Sequence, residues 1–178
     1  LLPGAEFQAS LEADPVVFYD ALAISRIGYD AIAIGNHEFD NGPDTLFEFI
    51  KDAQTYFPSI YLSANLDFSP VAVSGADNDL SDLVTTGEIA KSRVIDVPSS
   101  AGLKSVAIIG ATTDNLSAIT STGGVIAGVV ADAVNTELAT TDVQNADAVI
   151  LVTHLQGINT DIDLIPSLNA GIDVIVAG

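Results

Sequence analysis

The chain has 178 residues, of which 48% are hydrophobic and 16% are charged, so it can bury the core of one ordinary domain and does not have the composition of a disordered protein. Its formal net charge of −19, with only 5 basic residues, argues against binding to nucleic-acid backbones or anionic membrane surfaces. It contains no cysteine, which excludes disulfides and thiolate metal sites, and its longest apolar runs are too short for a transmembrane helix. The acidity suits an extracellular or saline setting.

The first third of the chain predicts helices alternating with strands. Residues 1–13 show no clear period and predict a lead-in loop. Asp14 and Pro15 then provide an N-cap and a first helical position, and Gly28 provides a helix end. Apolar spacing predicts a helix over 15–27, a strand over 30–35, a helix over 44–56 with an apolar stripe that ends at Phe57, and a strand over 60–65. This order implies parallel strands joined by right-handed crossovers.

The next segment, residues 67–86, loses this pattern and is rich in Ser, Gly, Asp and Asn, which predicts a surface insertion. Its cluster Asp77-Asn78-Asp79-Leu80-Ser81-Asp82 offers hard oxygen ligands for a structural calcium ion. The cluster lacks the glycine and the terminal glutamate of an EF-hand loop, so a solvated turn is the alternative.

The second half predicts a hairpin followed by further helices and strands. The elements are strands over 88–97 and 104–111 with a turn at 98–102, a helix over 127–141, a strand over 147–152, a helix through 162–168 and a strand over 172–176. The predicted fold class is therefore α/β. The chain lacks an initiator Met and stops within its last predicted strand, so we interpret residues 1–178 as a piece of one larger domain.

Polar side chains follow two of the predicted strands directly. Gly35-Asn36-His37-Glu38-Phe39-Asp40 follows the first strand, and His154 follows the strand over 147–152. These are the chain's 2 histidines, and open α/β sheets build their sites at the carboxyl ends of their strands. Imidazole and amide oxygens are suitable ligands for Zn, Mn, Fe or Co. Asp40, three residues after His37, can accept a hydrogen bond from the imidazole N–H and orient the ring. Glu38 is a weaker candidate for a role in the chemistry and could simply cap the loop.

The motif Gly35-Asn36-His37-Glu38-Phe39-Asp40-Asn41-Gly42 resembles the signature of the 5′-nucleotidase family of the calcineurin-like metallophosphoesterases. Four later segments continue the resemblance in order: 62–65, 106–113, 151–155 and 171–176. From the first segment to the last, the resemblance spans most of the chain. The resemblance implies a layered metallophosphoesterase fold, with mostly parallel sheets flanked by helices, that is incomplete at both ends.

The resemblance also implies roles for four residues. Asn36 and His154 match ligands of one of two divalent metal ions (Zn, Mn, Co or Fe). His37 matches the catalytic histidine, which donates a proton or hydrogen bond to the phosphate in the transition state, and Asp40 matches its partner. The metal ions would supply the positive charge that an anionic substrate needs in so acidic a chain. The family's remaining ligand motifs and its C-terminal nucleotide-binding domain lie outside these 178 residues, so we expect the isolated chain to be inactive.

The expected function is metal-dependent hydrolysis of a phosphate ester by an extracellular or periplasmic nucleotidase or phosphomonoesterase, whose partner is a phosphorylated small molecule such as a nucleotide. The alternative is a non-catalytic surface or filament-forming module that keeps the fold but has lost its metal ligands. A third hypothesis is a calcium-stabilised binding domain built on residues 67–82. The residues do not separate a 5′-nucleotidase from a cyclic-nucleotide phosphodiesterase, a UDP-sugar hydrolase or a general phosphomonoesterase.

Overall fold

The computed structural model describes residues 5–13, 18–69 and 80–178. The helices in these ranges are α1 (Ala5–Leu11), α2 (Tyr19–Ile27), α3 (Gly42–Ala53), α4 (Leu80–Thr86), α5 (Leu116–Ile119), α6 (Val130–Leu138), α7 (Thr141–Gln144) and α8 (Ile158–Leu164), with 3-10 turns at His37–Phe39 and Ile165–Ser167. The strands are β1 (Ala31–Ala33), β2 (Ile60–Leu62), β3 (Leu66–Asp67), β4 (Ile89–Ala90), β5 (Ser92–Ser99), β6 (Gly102–Thr112), β7 (Ile126–Ala127), β8 (Ala148–His154) and β9 (Val174–Ala177). None of the described helices has the length and apolar character needed to cross a membrane.

The strands form two main sheets. One is parallel, with the order β1-β2-β4. The other has the order β5-β6-β8-β9, in which β5 and β6 form the predicted antiparallel hairpin and β6, β8 and β9 run parallel. Strands β3 and β7 pair separately as a short antiparallel ribbon. The predicted α/β class, with largely parallel sheets and flanking helices, is confirmed.

The lead-in loop predicted for residues 1–13 is wrong, because residues 5–11 form helix α1. Its Phe7 ring lies 5.6 Å from the ring of Phe18, which in turn lies 5.6 Å from Phe49 on α3. This aromatic cluster buries one face of α1 against the core of the first sheet. Aromatic contacts between distant segments therefore specify a helix that the local spacing does not show.

Helix α2 ends where predicted. Gly28 adopts φ 74°, in the left-handed region, and its N–H donates to the Ile24 carbonyl at 3.1 Å. The predicted cap at Asp14 and Pro15 lies outside the described residues.

Helix α3 carries the predicted apolar stripe, with Leu46, Phe49, Ile50 and Ala53 all buried. Phe57 does not extend it: α3 ends at Ala53, and the Phe57 side chain is 44% exposed. The following Pro58 disfavours helical geometry at Phe57.

The C-terminal part of the predicted surface insertion, residues 67–86, contains helix α4. Leu80 and Leu83, three residues apart on α4, are buried in the first core, while Thr85 and Thr86 face solvent. The burial of these two leucines in the first core anchors α4 in otherwise polar sequence. The calcium hypothesis rests mainly on residues 77–79, which lie outside the described residues.

A second core lies on one face of the four-stranded sheet. Val130, Val134 and Leu138 of α6, within the predicted helix over 127–141, pack against Val149 and Leu151 of β8. Leu164 and Leu168 pack against the same core, whereas the neighbouring Ile162 and Ile165 are exposed. This core holds β6 and β8 side by side, with their carboxyl ends at the edge where the site residues lie.

Candidate functional site

Two adjacent residues at the end of β6 hold the two loops of the site together. The Thr112 hydroxyl donates to the Ile34 carbonyl at 2.7 Å, directly before the motif that begins at Gly35. The Thr113 N–H donates to the His154 carbonyl at 2.9 Å, at the end of β8. Both loops are therefore positioned by the same strand end.

A buried side-chain network fixes that strand end. The Asn65 amide donates to the Thr112 carbonyl at 2.7 Å and accepts from the Thr112 N–H at 2.9 Å, as a backbone partner in a sheet would. Asn65 also donates to the Gly128 carbonyl at 3.0 Å, and the hydroxyls of Ser63 and Thr112 lie 2.8 Å apart. These buried polar groups are paired, so the network rigidifies the base of the site.

Asn36 and His154 meet above this network. Asn36 Oδ1 lies 2.9 Å from His154 Nε2, and the Asn36 side chain is buried. The Gln156 amide donates to the same oxygen at 2.6 Å. Gly35 allows this close approach, because a Cβ at that position would lie 2.8 Å from His154 Cδ2. The first predicted pair of site residues is thus in direct contact.

His37 and Asp40 form a second pair on the 3-10 turn that follows β1. His37 Nδ1 lies 2.7 Å from Asp40 Oδ2, and the two side chains are 39% and 27% exposed. Asp40 Oδ1 also lies 3.5 Å from the Thr120 hydroxyl. The contact with Asp40 holds Nδ1, and the partly exposed ring leaves Nε2 able to reach a ligand.

Glu38 has a structural contact in this turn. Its Oε2 accepts the Gly35 N–H at 2.7 Å, so the side chain closes the loop between β1 and α3. This agrees with the expectation that Glu38 caps the loop. The structure therefore gives neighbouring residues of one motif different partners: Asn36 meets His154, His37 meets Asp40, and Glu38 meets the backbone.

Known proteins resemble the chain over most of its length. It is 30% identical over 179 residues to the trifunctional nucleotide phosphoesterase protein YfkN of Bacillus subtilis, and 32% identical over 157 residues to a 5′-nucleotidase of Diplobatis ommata. The crystal structure of a 5′-nucleotidase precursor from Thermus thermophilus superposes with a TM-score of 0.71 at 29% identity. The resemblance to the 5′-nucleotidases and calcineurin-like phosphoesterases is confirmed.

These phosphoesterase relatives are much longer than the chain. The two sequence alignments cover 89% and 87% of the chain but only 12% and 24% of the relatives, and the Thermus thermophilus superposition covers 89% of the chain and 27% of that structure. The structure of the calcineurin-like phosphoesterase YfkN, at 22% identity and a TM-score of 0.62, shows the same fold. No protein-family model matches the chain.

The donor atoms of Asn36 and His154 fit part of a metal site. Neighbouring ligands around an ion bound at about 2.1 Å lie about 3.0–3.4 Å apart, close to the 2.9 Å between Asn36 Oδ1 and His154 Nε2. Amide oxygen and imidazole nitrogen are both ligands that borderline divalent ions accept. Within residues 5–13, 18–69 and 80–178, no group of three or more His, Asp or Glu side chains is placed to hold a metal ion. Asn36 and His154 would therefore supply two ligands of a larger set.

Gln156, which no sequence motif singles out, reaches the candidate metal ligand Asn36 with its side chain. The available signal was its position, two residues after His154 in a loop at the carboxyl end of a strand. A glutamine has no charge and matches no ligand motif, so its contact becomes visible only when the two loops are brought together.

Proposed function

We propose that the chain forms part of the catalytic domain of a metal-dependent phosphoesterase of the nucleotidase type, which hydrolyses phosphate esters of small molecules such as nucleotides. The observation that carries the proposal is the contact between Asn36 and His154, next to the His37–Asp40 pair in the same motif. Candidate ligands and a candidate acid thus converge at one sheet edge, the usual location of sites in α/β folds.

Asn36 and His154 would hold a divalent ion, Zn, Mn, Co or Fe, as two of its ligands. Divalent ions polarise phosphoryl oxygens, activate water and offset the charge of an anionic substrate. That contribution matters here, since the chain has 5 basic residues against 24 acidic ones.

His37 would act on the phosphate directly. Asp40 accepts a hydrogen bond from Nδ1, which fixes the ring orientation and leaves Nε2 as the nitrogen that can donate a proton or hydrogen bond. Asp40 is thus a positioning residue, and His37 is the proposed catalytic residue.

The relatives support a nucleotide as the substrate, since they are named as a nucleotide phosphoesterase and 5′-nucleotidases. An extracellular or periplasmic location is proposed with it. The acidic, cysteine-free composition supports this location, and one structural neighbour is a 5′-nucleotidase precursor.

The test is hydrolysis by the full-length gene product of AMP, a UDP-sugar and a cyclic nucleotide, before and after chelation and with Mn²⁺, Co²⁺ or Zn²⁺ restored. We expect chelation to abolish turnover and one of these ions to restore it. Asn36→Ala and His154→Ala should each lower metal-supported turnover by about 100-fold or more. Asn169→Ala, at an exposed asparagine in the loop before β9, is the control and should leave turnover unchanged.

Turnover that survives chelation would contradict the metal dependence. Failure to hydrolyse any phosphate ester, with all three ions supplied in turn, would favour the non-catalytic module instead.

A further inference from the structure

Gln156 adopts an unusual backbone conformation beside the candidate metal ligands. Its φ is 74°, and among the described residues it is the sole non-glycine residue with a positive φ. Side chains with a Cβ rarely occupy this left-handed region because the Cβ crowds the following carbonyl. Such conformations persist where the surrounding structure requires them, and they cluster at functional sites.

The side chain of Gln156 makes a specific contact from this position. Its Nε2 donates to Asn36 Oδ1 at 2.6 Å, and the same oxygen lies 2.9 Å from His154 Nε2. An amide oxygen carries two lone pairs. One lone pair of Asn36 Oδ1 accepts the hydrogen bond from Gln156, and the second lone pair is directed at His154.

We propose that Gln156 is a positioning residue of the candidate metal site: it fixes the Asn36 amide with its oxygen, rather than its NH₂ group, directed toward His154. The inference rests on the proposed function, in which Asn36 and His154 are ligands. Only the oxygen end of an asparagine amide can bind a metal ion, since its NH₂ group is a hydrogen-bond donor. Donors that orient a ligand in this way typically raise metal affinity by 10- to 100-fold.

The backbone strain allows the positioning role to be separated from a structural one. Gln156→Gly removes the amide donor but places at φ 74° the residue that best tolerates it. We expect the Tm of the full-length protein to be unchanged or to rise by up to about 4 °C. We expect Mn²⁺ affinity, measured from the electron paramagnetic resonance signal of the free ion, to fall about tenfold.

A second background tests whether Gln156 acts through the orientation of Asn36. In Asn36→Asp both terminal atoms are oxygens, so orienting the end group no longer decides which atom faces the ion. Gln156→Gly should therefore change Mn²⁺ affinity by less than about twofold in the Asn36→Asp background.

Three results would overturn the inference. If Gln156→Gly leaves Mn²⁺ affinity unchanged in the otherwise native protein, Gln156 does not position the ligand. If it weakens affinity equally in the Asn36→Asp background, Gln156 acts independently of the Asn36 amide. If the His154→Ala variant binds Mn²⁺ as tightly as the native protein does, the proposed metal site is wrong, and the inference fails with it.

Discussion

Asn36 Oδ1 lies 2.9 Å from His154 Nε2, although the two residues are 118 positions apart in the chain. The contact depends on three strands: β1 leads into the Asn36 loop, β8 ends in His154, and the end of β6 is hydrogen-bonded to Ile34 and to His154. The candidate site is therefore a property of the sheet arrangement, and mutations that disturb this junction should act on the site as well as on stability.

Gly35→Ala tests how tightly the junction is packed. The added Cβ would lie 2.8 Å from His154 Cδ2 and 3.0 Å from Glu38 Oε2, so the ring or the loop must shift. We expect a loss of about 1–3 kcal/mol in the free energy of unfolding, measured by urea denaturation. Because the ring moves, we also expect weaker metal-supported turnover than in the native protein.

Gly157→Ala is the matched control for this change. It lies in the loop after His154, and a Cβ there would meet no atom within 4 Å. Its φ of 163° is extended backbone that alanine adopts without strain. Equal losses for the two variants would mean that contact with His154 is not the cause.

His37→Ala tests the proposed proton donor. The His37 side chain is 39% exposed, so its removal should change the free energy of unfolding by less than about 1 kcal/mol. We expect kcat on a phosphate ester to fall by about 10²- to 10⁴-fold, while Mn²⁺ affinity stays within about twofold of the native value.

Asp40→Asn should lower kcat less than His37→Ala does, because it removes the partner and keeps the ring. Asp44→Asn, at an exposed aspartate in the first turn of α3, serves as the control and should leave kcat unchanged. Unchanged turnover in His37→Ala would end the role proposed for that residue.

The sequence predicted the parts of the fold that depend on local periodicity. The stripe on α3, the hairpin of β5 and β6, and the parallel strands β1 and β2 all agree with the structure. Each of these helices and strands is at most 12 residues long, so its own residues carry the pattern that predicts it. Helices α1 and α4 do not, because only their long-range contacts, such as Phe7 with Phe18 and Leu83 with the first core, favour helix over loop.

The candidate site also contains residues that the sequence predicts and one that it does not. Asn36, His37, Asp40 and His154 were predicted as candidates from a motif and from strand ends, and the structure pairs them as Asn36 with His154 and His37 with Asp40. The roles of these residues remain predictions. The contact of Gln156 with Asn36 was not predictable, because it joins two loops whose proximity depends on strand register.

Tyr61→Phe is expected to leave stability unchanged or to increase it. The Tyr61 side chain is fully buried, and among the described residues its hydroxyl has no hydrogen-bond partner. Removing an unpaired buried hydroxyl relieves its desolvation cost, so we expect a gain of up to about 1–2 kcal/mol in the free energy of unfolding. Tyr29→Phe, at an exposed tyrosine, should give no change.

The phenol of Tyr61 should also resist ionisation. Burial raises the pKa of Tyr61 well above its usual value, and the negative charge of Glu38 raises it further. In a spectrophotometric titration, Tyr61→Phe should therefore not reduce the number of tyrosines that ionise near pH 10. A loss of one such tyrosine would show that the phenol is accessible to water, and destabilisation by more than about 1 kcal/mol would show that the hydroxyl has a partner.

Lys104→Met should raise the pKa of Asp147. Lys104 Nζ lies 2.7 Å from Asp147 Oδ1, and this hydrogen bond, followed by that of the Ser105 N–H at 2.9 Å, holds the pKa of the Asp147 carboxyl below its usual value. Because the folded-state pKa is the lower one, the pair stabilises the fold above about pH 4, and that contribution is lost as the pH falls through the depressed pKa. The effect on stability should be small and should shrink with added salt, since the two side chains are 48% and 41% exposed.

Carbon-13 NMR titration of the Asp147 carboxyl measures the change in its pKa directly. The control is Lys51→Met, at a distant lysine that is paired with Glu88. An Asp147 titration midpoint that is the same with and without Lys104 would show that the pair does not form in solution.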